Sequence, residues 1–188
     1  MQVRPPESEE LAAVAELHTA AAEAGGARAY DAETTAAWAK RGERSGDDYP
    51  VDDPASRFVV AVDAGVLGFG EVVPDEREVR AVYVRPDRER GGVGSAILAH
   101  LEGYAAGAGC SELTLQSSLN AVGFYERAGY ERVGEGESPG GIAVVEMRKD
   151  LRRAGRGRGR GTARRRPPAT AARGRTAARR RPVPGRSP

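Results

Sequence analysis

The stretch DRERGGVGSAIL (87–98) places three glycines within four residues, directly before an apolar run. The segment before it, AVYVRP (81–86), has the β-branched and aromatic composition of a strand. After the glycines, apolar residues recur from Val93 to Tyr104 at the spacing of one helix face. The pattern therefore predicts a strand, a glycine-rich loop and a long helix that begins at the third glycine.

A glycine-rich loop at the start of a helix suits the binding of an anion. The first N–H groups of a helix have no intrahelical partner, the helix dipole is positive at this end, and glycine lets a phosphate approach the backbone. A strand-to-helix turn with glycines for tight packing is the alternative. A dinucleotide-binding fingerprint is excluded because its third glycine would fall at Ile97, and a P-loop is excluded because its Gly-Lys-Ser/Thr is absent.

The rest of the first 150 residues alternates between helical and strand patterns. We expect a first helix near 8–24 and a second near 31–43. Antiparallel strands are predicted near 57–63, 66–73 and 78–85. Beyond the long helix, the sequence predicts a strand (111–118), a short helix that ends at Gly129 and two closing strands (131–135 and 142–151). This order, α-α-β-β-β-α-β-α-β-β, indicates a single α/β (α+β) domain.

Composition separates this body, 1–150, from a tail, 151–188. The tail contains 14 Arg and no acidic residue, whereas the body has a net charge of about −12. Leu151 and Val183 are the tail's only sizeable apolar residues. Such a segment buries too little apolar surface to offset the entropy lost on ordering. We therefore predict that 152–188 is disordered.

Several classes of protein do not fit the composition. The chain has no run of about 18 apolar residues, and its N-terminus lacks the layout of a secretory signal. The single cysteine, Cys110, cannot form an internal disulfide, and no Cys/His cluster accompanies His18 and His100. The sequence favours a soluble cytoplasmic protein without a membrane segment or a metal.

Two motifs resemble a known family. VYVRPDRERGGVGSAILAHLE (82–102), followed by LTLQSSLNAVGFYERAGYE (113–131), resembles the GNAT superfamily of acetyl-CoA-dependent N-acetyltransferases, and the resemblance spans 1–150. Two motifs in the expected order are more specific than either alone. The resemblance implies a mixed, mostly antiparallel, twisted sheet flanked by helices. It also implies transfer of the acetyl group of acetyl-CoA to a primary amine in a ternary complex.

The resemblance assigns residues to the cofactor. Backbone groups of the strand residues Val82, Tyr83 and Val84 would contact the pantetheine arm. The pyrophosphate loop, with family pattern Gln/Arg-x-x-Gly-x-Gly/Ala, maps onto Glu89, Arg90, Gly91, Gly92, Val93 and Gly94, with Ser95 following. Glu89 departs from that pattern. Its carboxylate would be unfavourable beside a pyrophosphate unless it points outward or Arg88 compensates for it.

The second motif implies the catalytic residues. Asn120 matches the asparagine that opens the helix after the fifth strand and contacts the cofactor, although it could equally be a plain N-cap. Tyr125 matches a tyrosine near the thioester sulfur, whose phenol can protonate the departing thiolate. The alternative is a third packing aromatic beside Phe124 and Tyr130.

The sequence says less about the amine that accepts the acetyl group and about the base that deprotonates it. Glu78, or Glu71 on the neighbouring strand, could take the proton of the amine directly or through water. The sequence does not identify the amine, which could belong to a small molecule or to a peptide. Two other functions stay open, which are an acyl-CoA-binding fold without turnover and a nucleic-acid-associated protein that binds through its arginine-rich tail. The sequence also leaves open whether the protein forms a homodimer.

Overall fold

The computed structural model describes residues 1–42, 48–139 and 141–154. Its strands are β1 (Gln2–Arg4), β2 (Arg57–Val62), β3 (Val66–Val73), β4 (Glu78–Val84), β5 (Glu112–Ser118), β6 (Glu131–Glu137) and β7 (Ala143–Asp150). Its α-helices are α1 (Leu11–Gly26), α2 (Ala32–Gly42), α3 (Val93–Gly107), α4 (Val122–Arg127) and α5 (Leu151–Ala154). Short 3-10 turns at Ser8–Glu10 and Pro86–Arg88 precede α1 and α3.

The seven strands form one sheet in the order β1-β2-β3-β4-β5-β7-β6. All neighbouring strands are antiparallel except β4 and β5, which run parallel. The predicted fold, a mixed and mostly antiparallel sheet with helices packed on it, is confirmed. One strand was not predicted, namely β1, which pairs with β2 through Val3 and Ala61.

The helices cover both faces of the sheet. Successive side chains of a strand point to opposite faces, and β2 shows this clearly. Val59 and Ala61 belong to the core cluster that contains the buried residues of α3 and α4. Phe58 and Val60 belong to a second cluster, together with the buried face of α1. The sheet therefore lies between α3 and α4 on one face and α1 on the other.

Helix α3 lies very close to the centre of the sheet. A Cβ atom at Gly70 of β3 would lie 2.6 Å from Cγ2 of Ile97 and 2.9 Å from the carbonyl oxygen of Ala81. Real Cβ atoms do not make such contacts, so only glycine permits this approach. The close packing fixes the start of α3 relative to β4, which borders the candidate site.

The folded body continues past the boundary predicted at 150. The backbone N–H of Leu151 donates to the carbonyl oxygen of Ser111 at 2.9 Å, and the Leu151 side chain packs against the main core. Residues 152–154, which were predicted to be disordered, belong to α5. Residues 155–188 lie outside the described residues, so their disorder and the nucleic-acid binding of the tail stay predictions. Within residues 1–42, 48–139 and 141–154, no helix combines the length and apolar character needed to cross a bilayer.

Candidate active site

A gap opens between the parallel strands β4 and β5. Their only paired residues are Glu78 and Thr114, and the N–H of Thr114 donates to the carbonyl oxygen of Arg77 at 2.8 Å. Beyond this point neither strand pairs with the other, although both are described in full. The edge of β4 that faces β5 therefore offers unpaired backbone groups. The predicted pantetheine-contacting residues, Val82–Val84, lie on this edge.

A β-bulge changes the direction of β4 ahead of that edge. Between Val79 and Ala81 the register with β3 shifts by one residue, which leaves Arg80 as the extra residue. A bulge of this kind bends the strand and increases its twist. Past the bulge, Val82 packs on the core under α3 and Tyr83 packs on the α1 side. The bend accounts for the separation of β4 from β5.

The loop after β4 ends in the amide-rich start of α3. Gly92 adopts the left-handed conformation, with φ of 81°, and is the N-cap of the helix. The first helical hydrogen bond runs from the N–H of Ala96 to the carbonyl oxygen of Gly92 at 3.0 Å. The N–H groups of residues 93–95 therefore have no partner one turn earlier. A Cβ atom at Gly92 would meet nothing within 4 Å, so the space beside this backbone is open.

These two features fit the cofactor that the sequence predicts. A chain of amides and carbonyls, such as the pantetheine arm, can pair with an unpaired strand edge. A pyrophosphate can bind to amides at a helix start, where the dipole favours negative charge. Only eight residues, 85–92, separate the end of β4 from the start of α3.

Glu89 is neutralised by a residue that the sequence did not indicate. Both of its carboxylate oxygens lie near Nη1 of Arg28, at 3.0 and 2.8 Å. Arg28 lies in the connection between α1 and α2. Arg88, the residue proposed to compensate, lies instead 3.6 Å from the carboxylate of Asp87. Compensation by Arg88, one of the alternatives left open by the sequence, is therefore not what the structure has, because the contact comes from a residue 61 positions away.

The same connection reaches the far side of the gap. The Tyr30 hydroxyl donates to the carbonyl oxygen of Ala143 at 2.7 Å and accepts from the N–H of Leu119 at 2.9 Å. Leu119 directly follows β5. The connection 27–31 therefore contacts the loop after β4 through Arg28 and the end of β5 through Tyr30, so it spans the open end of the gap.

Asn120 lies against the end of α1. Its Nδ2 would lie 3.2 Å from a Cβ atom placed on Gly25, and its side chain is exposed. The N-cap of α4 is Ala121, and no side chain caps that helix. The N-cap interpretation of Asn120 is therefore wrong, since the helix begins later than expected. Its contact with the cofactor stays a prediction.

Tyr125 is a core aromatic residue of α4, with only 7% of its surface exposed. Its ring lies 4.9 Å from that of Phe124 and 5.7 Å from that of Tyr130. Burial raises the pKa of the Tyr125 hydroxyl above its usual range, and the neighbouring Tyr83 raises it further. The phenol therefore stays protonated near neutral pH. A group in this state can donate a proton and cannot accept one.

The two candidate bases share one arginine. The carboxylate of Glu78 lies 3.6 Å from Nε of Arg80, and that of Glu71 lies 3.8 Å from Nη1 of the same residue. The Glu71 side chain is 11% exposed and that of Glu78 is 35% exposed. Glu78 lies at the paired end of the gap, roughly 13 Å along the strand from Val82 at the usual rise per residue.

An aromatic group on the α1 side was missed by the sequence analysis. The ring of Tyr83 lies 4.3 Å from that of His18, and Nε1 of Trp38 donates to the Tyr83 hydroxyl at 3.4 Å. Nδ1 of His18 lies 3.1 Å from the Tyr49 hydroxyl. Trp38 lies within the second predicted helix, but nothing in the sequence indicated that it would face β4.

Comparison with known proteins gives the family. Residues 27–151 match the acetyltransferase (GNAT) domain. A GCN5-related N-acetyltransferase from Rhodopseudomonas palustris, described as an aminotransferase of class II, is 25% identical with a TM-score of 0.71, and the match covers 79% of this chain and 94% of that one.

Two further solved structures share the fold at lower identity. PaiA N-acetyltransferase from Thermoplasma acidophilum, in complex with coenzyme A, is 20% identical with a TM-score of 0.64, covering 79% of this chain and 98% of that one. An aminoglycoside 6'-N-acetyltransferase complexed with coenzyme A is 17% identical with a TM-score of 0.56, covering 80% and 97%. No curated protein matches the chain. The chain belongs to the GNAT acetyltransferase family, a class of acyltransferases.

Proposed function

We propose that this protein is an acetyl-CoA-dependent N-acetyltransferase that transfers the acetyl group to a primary amine in a ternary complex. The observation that supports this best is the gap between β4 and β5, which is followed directly by the glycine-rich start of α3. An unpaired strand edge and a cluster of helix-start amides together suit a ligand with both amide and phosphate groups.

The residues that would contact acetyl-CoA follow from this geometry. Backbone groups of Val82–Val84 would pair with the pantetheine arm. The backbone of the loop would bind the pyrophosphate, from Glu89, Arg90 and Gly91 to Gly92, Val93, Gly94 and Ser95. Asn120, two residues past the end of β5, would contact the cofactor from the other side of the gap. Acetyl-CoA supplies the thioester, and it needs no metal.

Tyr125 is the proposed proton donor to the departing sulfur. Its raised pKa keeps the proton on the phenol, as a general acid requires. A protonated phenol has a proton to give to the thiolate as the thioester breaks.

Glu78 is the proposed proton acceptor for the amine, acting through water, with Glu71 as the alternative. Each lies within 4 Å of a guanidinium nitrogen of Arg80. Because Glu78 is the more exposed of the two, it is the better placed to accept a proton from a water chain.

Turnover of acetyl-CoA with release of the free thiol tests the proposal, measured across a panel of small amines, amino acids and lysine peptides. We expect thiol release with at least one amine and none without an amine. Coenzyme A binding by calorimetry is measured in parallel. Binding without turnover across the panel would favour the acyl-CoA-binding alternative, and absence of binding would contradict both.

A further inference from the structure

The Arg28–Glu89 pair joins two parts of the chain that have different proposed roles. Glu89 begins the pyrophosphate loop, where the family pattern has glutamine or arginine. Arg28 belongs to the connection 27–31, which leads from α1 to α2. Nη1 of Arg28 bridges both oxygens of the carboxylate, and the side chains are 48% and 36% exposed. The pair is therefore accessible to solvent and to a ligand at the loop.

Arg28 is the cation that neutralises Glu89. Of the other arginines of the loop, Arg85 hydrogen-bonds Asp87 at 3.0 and 2.9 Å and Arg88 lies 3.6 Å from Asp87. Arg90, the next residue in the chain, forms no ion pair with Glu89 among the described residues. Among the described residues, the carboxylate of Glu89 has no cationic partner besides Arg28. Without Arg28, the carboxylate of Glu89 would be uncompensated. It lies three residues before Gly92, close in the chain to the helix-start amides that are proposed to bind the pyrophosphate.

The position of Arg28 is fixed by its own segment. The N–H of Arg28 donates to the carbonyl oxygen of Gly25 at 3.2 Å, which continues the turn at the end of α1. Two residues later, the Tyr30 hydroxyl is fixed by the backbone of Leu119 and Ala143. The guanidinium is therefore presented to the loop by a connection that is anchored at both ends.

On the basis of the proposed function, we propose that Arg28 is a positioning residue of the cofactor site. It neutralises Glu89 so that the loop can accept the pyrophosphate, and it thereby links the loop to the connection that spans the open end of the gap. Binding of coenzyme A and ordering of this connection then stabilise each other, since such coupling is reciprocal.

A double-mutant cycle on coenzyme A affinity tests the inference, with calorimetry on the full chain. We expect Arg28→Gln to weaken binding about fivefold, because an uncompensated carboxylate near a phosphate costs about 1 kcal/mol in a solvated site. Glu89→Gln should bind at least as tightly as wild type. The double variant should match Glu89→Gln, because a neutral amide at position 89 no longer needs a cation. Arg28→Lys should restore affinity to within about twofold of wild type.

A matched control is available in the ion pair between β5 and β7. Arg148 lies 3.5 Å from Glu112, and the two side chains are 50% and 37% exposed, nearly as in the Arg28 pair. Arg148→Gln should leave coenzyme A affinity within about twofold of wild type. The effect of Arg28→Gln should shrink in 0.5 M salt, where the Debye length falls to about 4 Å.

The second readout is hydrogen exchange of the connection 27–31. We expect coenzyme A to slow exchange there in wild type and to do so less in Arg28→Gln. Unchanged affinity in Arg28→Gln would overturn the inference. So would a double variant as weak as Arg28→Gln, because Arg28 would then bind the cofactor directly. Wild-type protein that fails to bind coenzyme A would instead overturn the proposed function itself, and this inference with it.

Discussion

Nε1 of Trp38 donates a hydrogen bond to the hydroxyl of Tyr83 at 3.4 Å, which connects helix α2 to the strand that borders the gap. Tyr83 is fixed from its other sides by Phe69, at 5.1 Å between ring centroids, and by His18 at 4.3 Å. The backbone of Tyr83 is proposed to pair with the pantetheine arm, while its ring faces α1 and α2. Tyr83 therefore joins the cofactor edge of β4 to helices α1 and α2, which we propose contribute to the amine site.

Trp38→Phe should distinguish an effect on amine binding from an effect on coenzyme A binding. The variant keeps an aromatic ring and removes the N–H donor, so we expect stability to fall by about 1 kcal/mol or less. Coenzyme A affinity should stay within about twofold of wild type, since the backbone edge of β4 is unchanged. The KM for the amine identified in the turnover panel should rise. A loss of coenzyme A affinity with an unchanged amine KM would show that Trp38 supports the cofactor strand instead.

Gly92→Asp should abolish most of the coenzyme A affinity. The substitution adds a negative charge beside the helix-start amides, and the left-handed backbone at φ of 81° adds about 1–2 kcal/mol of strain for any other residue. Gly92→Ala isolates the strain from the charge. Calorimetry should rank the affinities as wild type, Gly92→Ala and Gly92→Asp, in decreasing order.

Gly103→Ala is the matched control for both Gly92 variants. Gly103 lies within α3, and a Cβ atom there would meet nothing within 4 Å. Alanine is the better helix former by about 1 kcal/mol, so this variant should be slightly more stable and bind coenzyme A normally. If Gly92→Asp binds like Gly103→Ala, the glycine loop is not the pyrophosphate site.

Part of this site could be predicted from the sequence, because its pattern is local. The strand, the glycine loop and α3 are contiguous, and the start of α3 lies one residue before the predicted glycine. β1 was missed because three residues give too short a pattern, and its strand character comes from pairing with β2. The role of Ala121 as N-cap was missed for a similar reason, since its side chain makes no capping bond.

The contacts that close the gap could not be predicted, because they join residues far apart in the chain. Arg28 meets Glu89 across 61 positions, and Tyr30 meets Ala143 across 113. Neither residue type has a spacing or pattern that indicates its partner. The departure of Glu89 from the family pattern was visible in the sequence, but identifying its counter-ion required the fold.

Tyr125→Phe should lower kcat about 10- to 100-fold, because it removes the proposed proton donor. This loss is at the low end for a general acid, since a thiolate can leave without full protonation. The ring is kept, so coenzyme A affinity and the melting temperature should stay near wild type. Since burial raises the pKa of Tyr125, its phenol is protonated throughout the range from about pH 6 to 9. The ratio of wild-type to variant kcat should therefore be constant across this range.

The proposed role of Glu78 as the base can be distinguished from that of Tyr125 as the acid, because the two variants should differ in how their rates depend on pH. Glu78→Gln should depress the rate most at low pH, where the free amine is scarce, and Glu71→Gln provides the comparison. If Tyr125→Phe turns over within about twofold of wild type on a verified substrate, the tyrosine is a packing residue and water protonates the sulfur.

Glu102→Gln should destabilise the fold strongly without a direct effect on the site. Nζ of Lys149 lies 2.7 Å from both oxygens of Glu102, and the two side chains are only 13% and 16% exposed. The pair joins α3 to β7, and Lys149 also lies over the ring of Tyr130 at 5.4 Å. Removing one partner of such a pair leaves a buried charge uncompensated, which costs about 3 kcal/mol. Chemical denaturation should show this loss as a lower midpoint with an unchanged slope.

A double variant separates the cost of the unpaired charge from the value of the pair. Glu102→Leu with Lys149→Met replaces both charges with apolar groups of similar size, and we expect it to recover most of the stability lost in Glu102→Gln. Arg132→Gln is the exposed control, because its pair with Glu126 has side chains that are 59% and 45% exposed and should contribute less than about 0.5 kcal/mol. Equal destabilisation in the double variant and in Glu102→Gln would show that the ion pair itself stabilises the contact between α3 and β7.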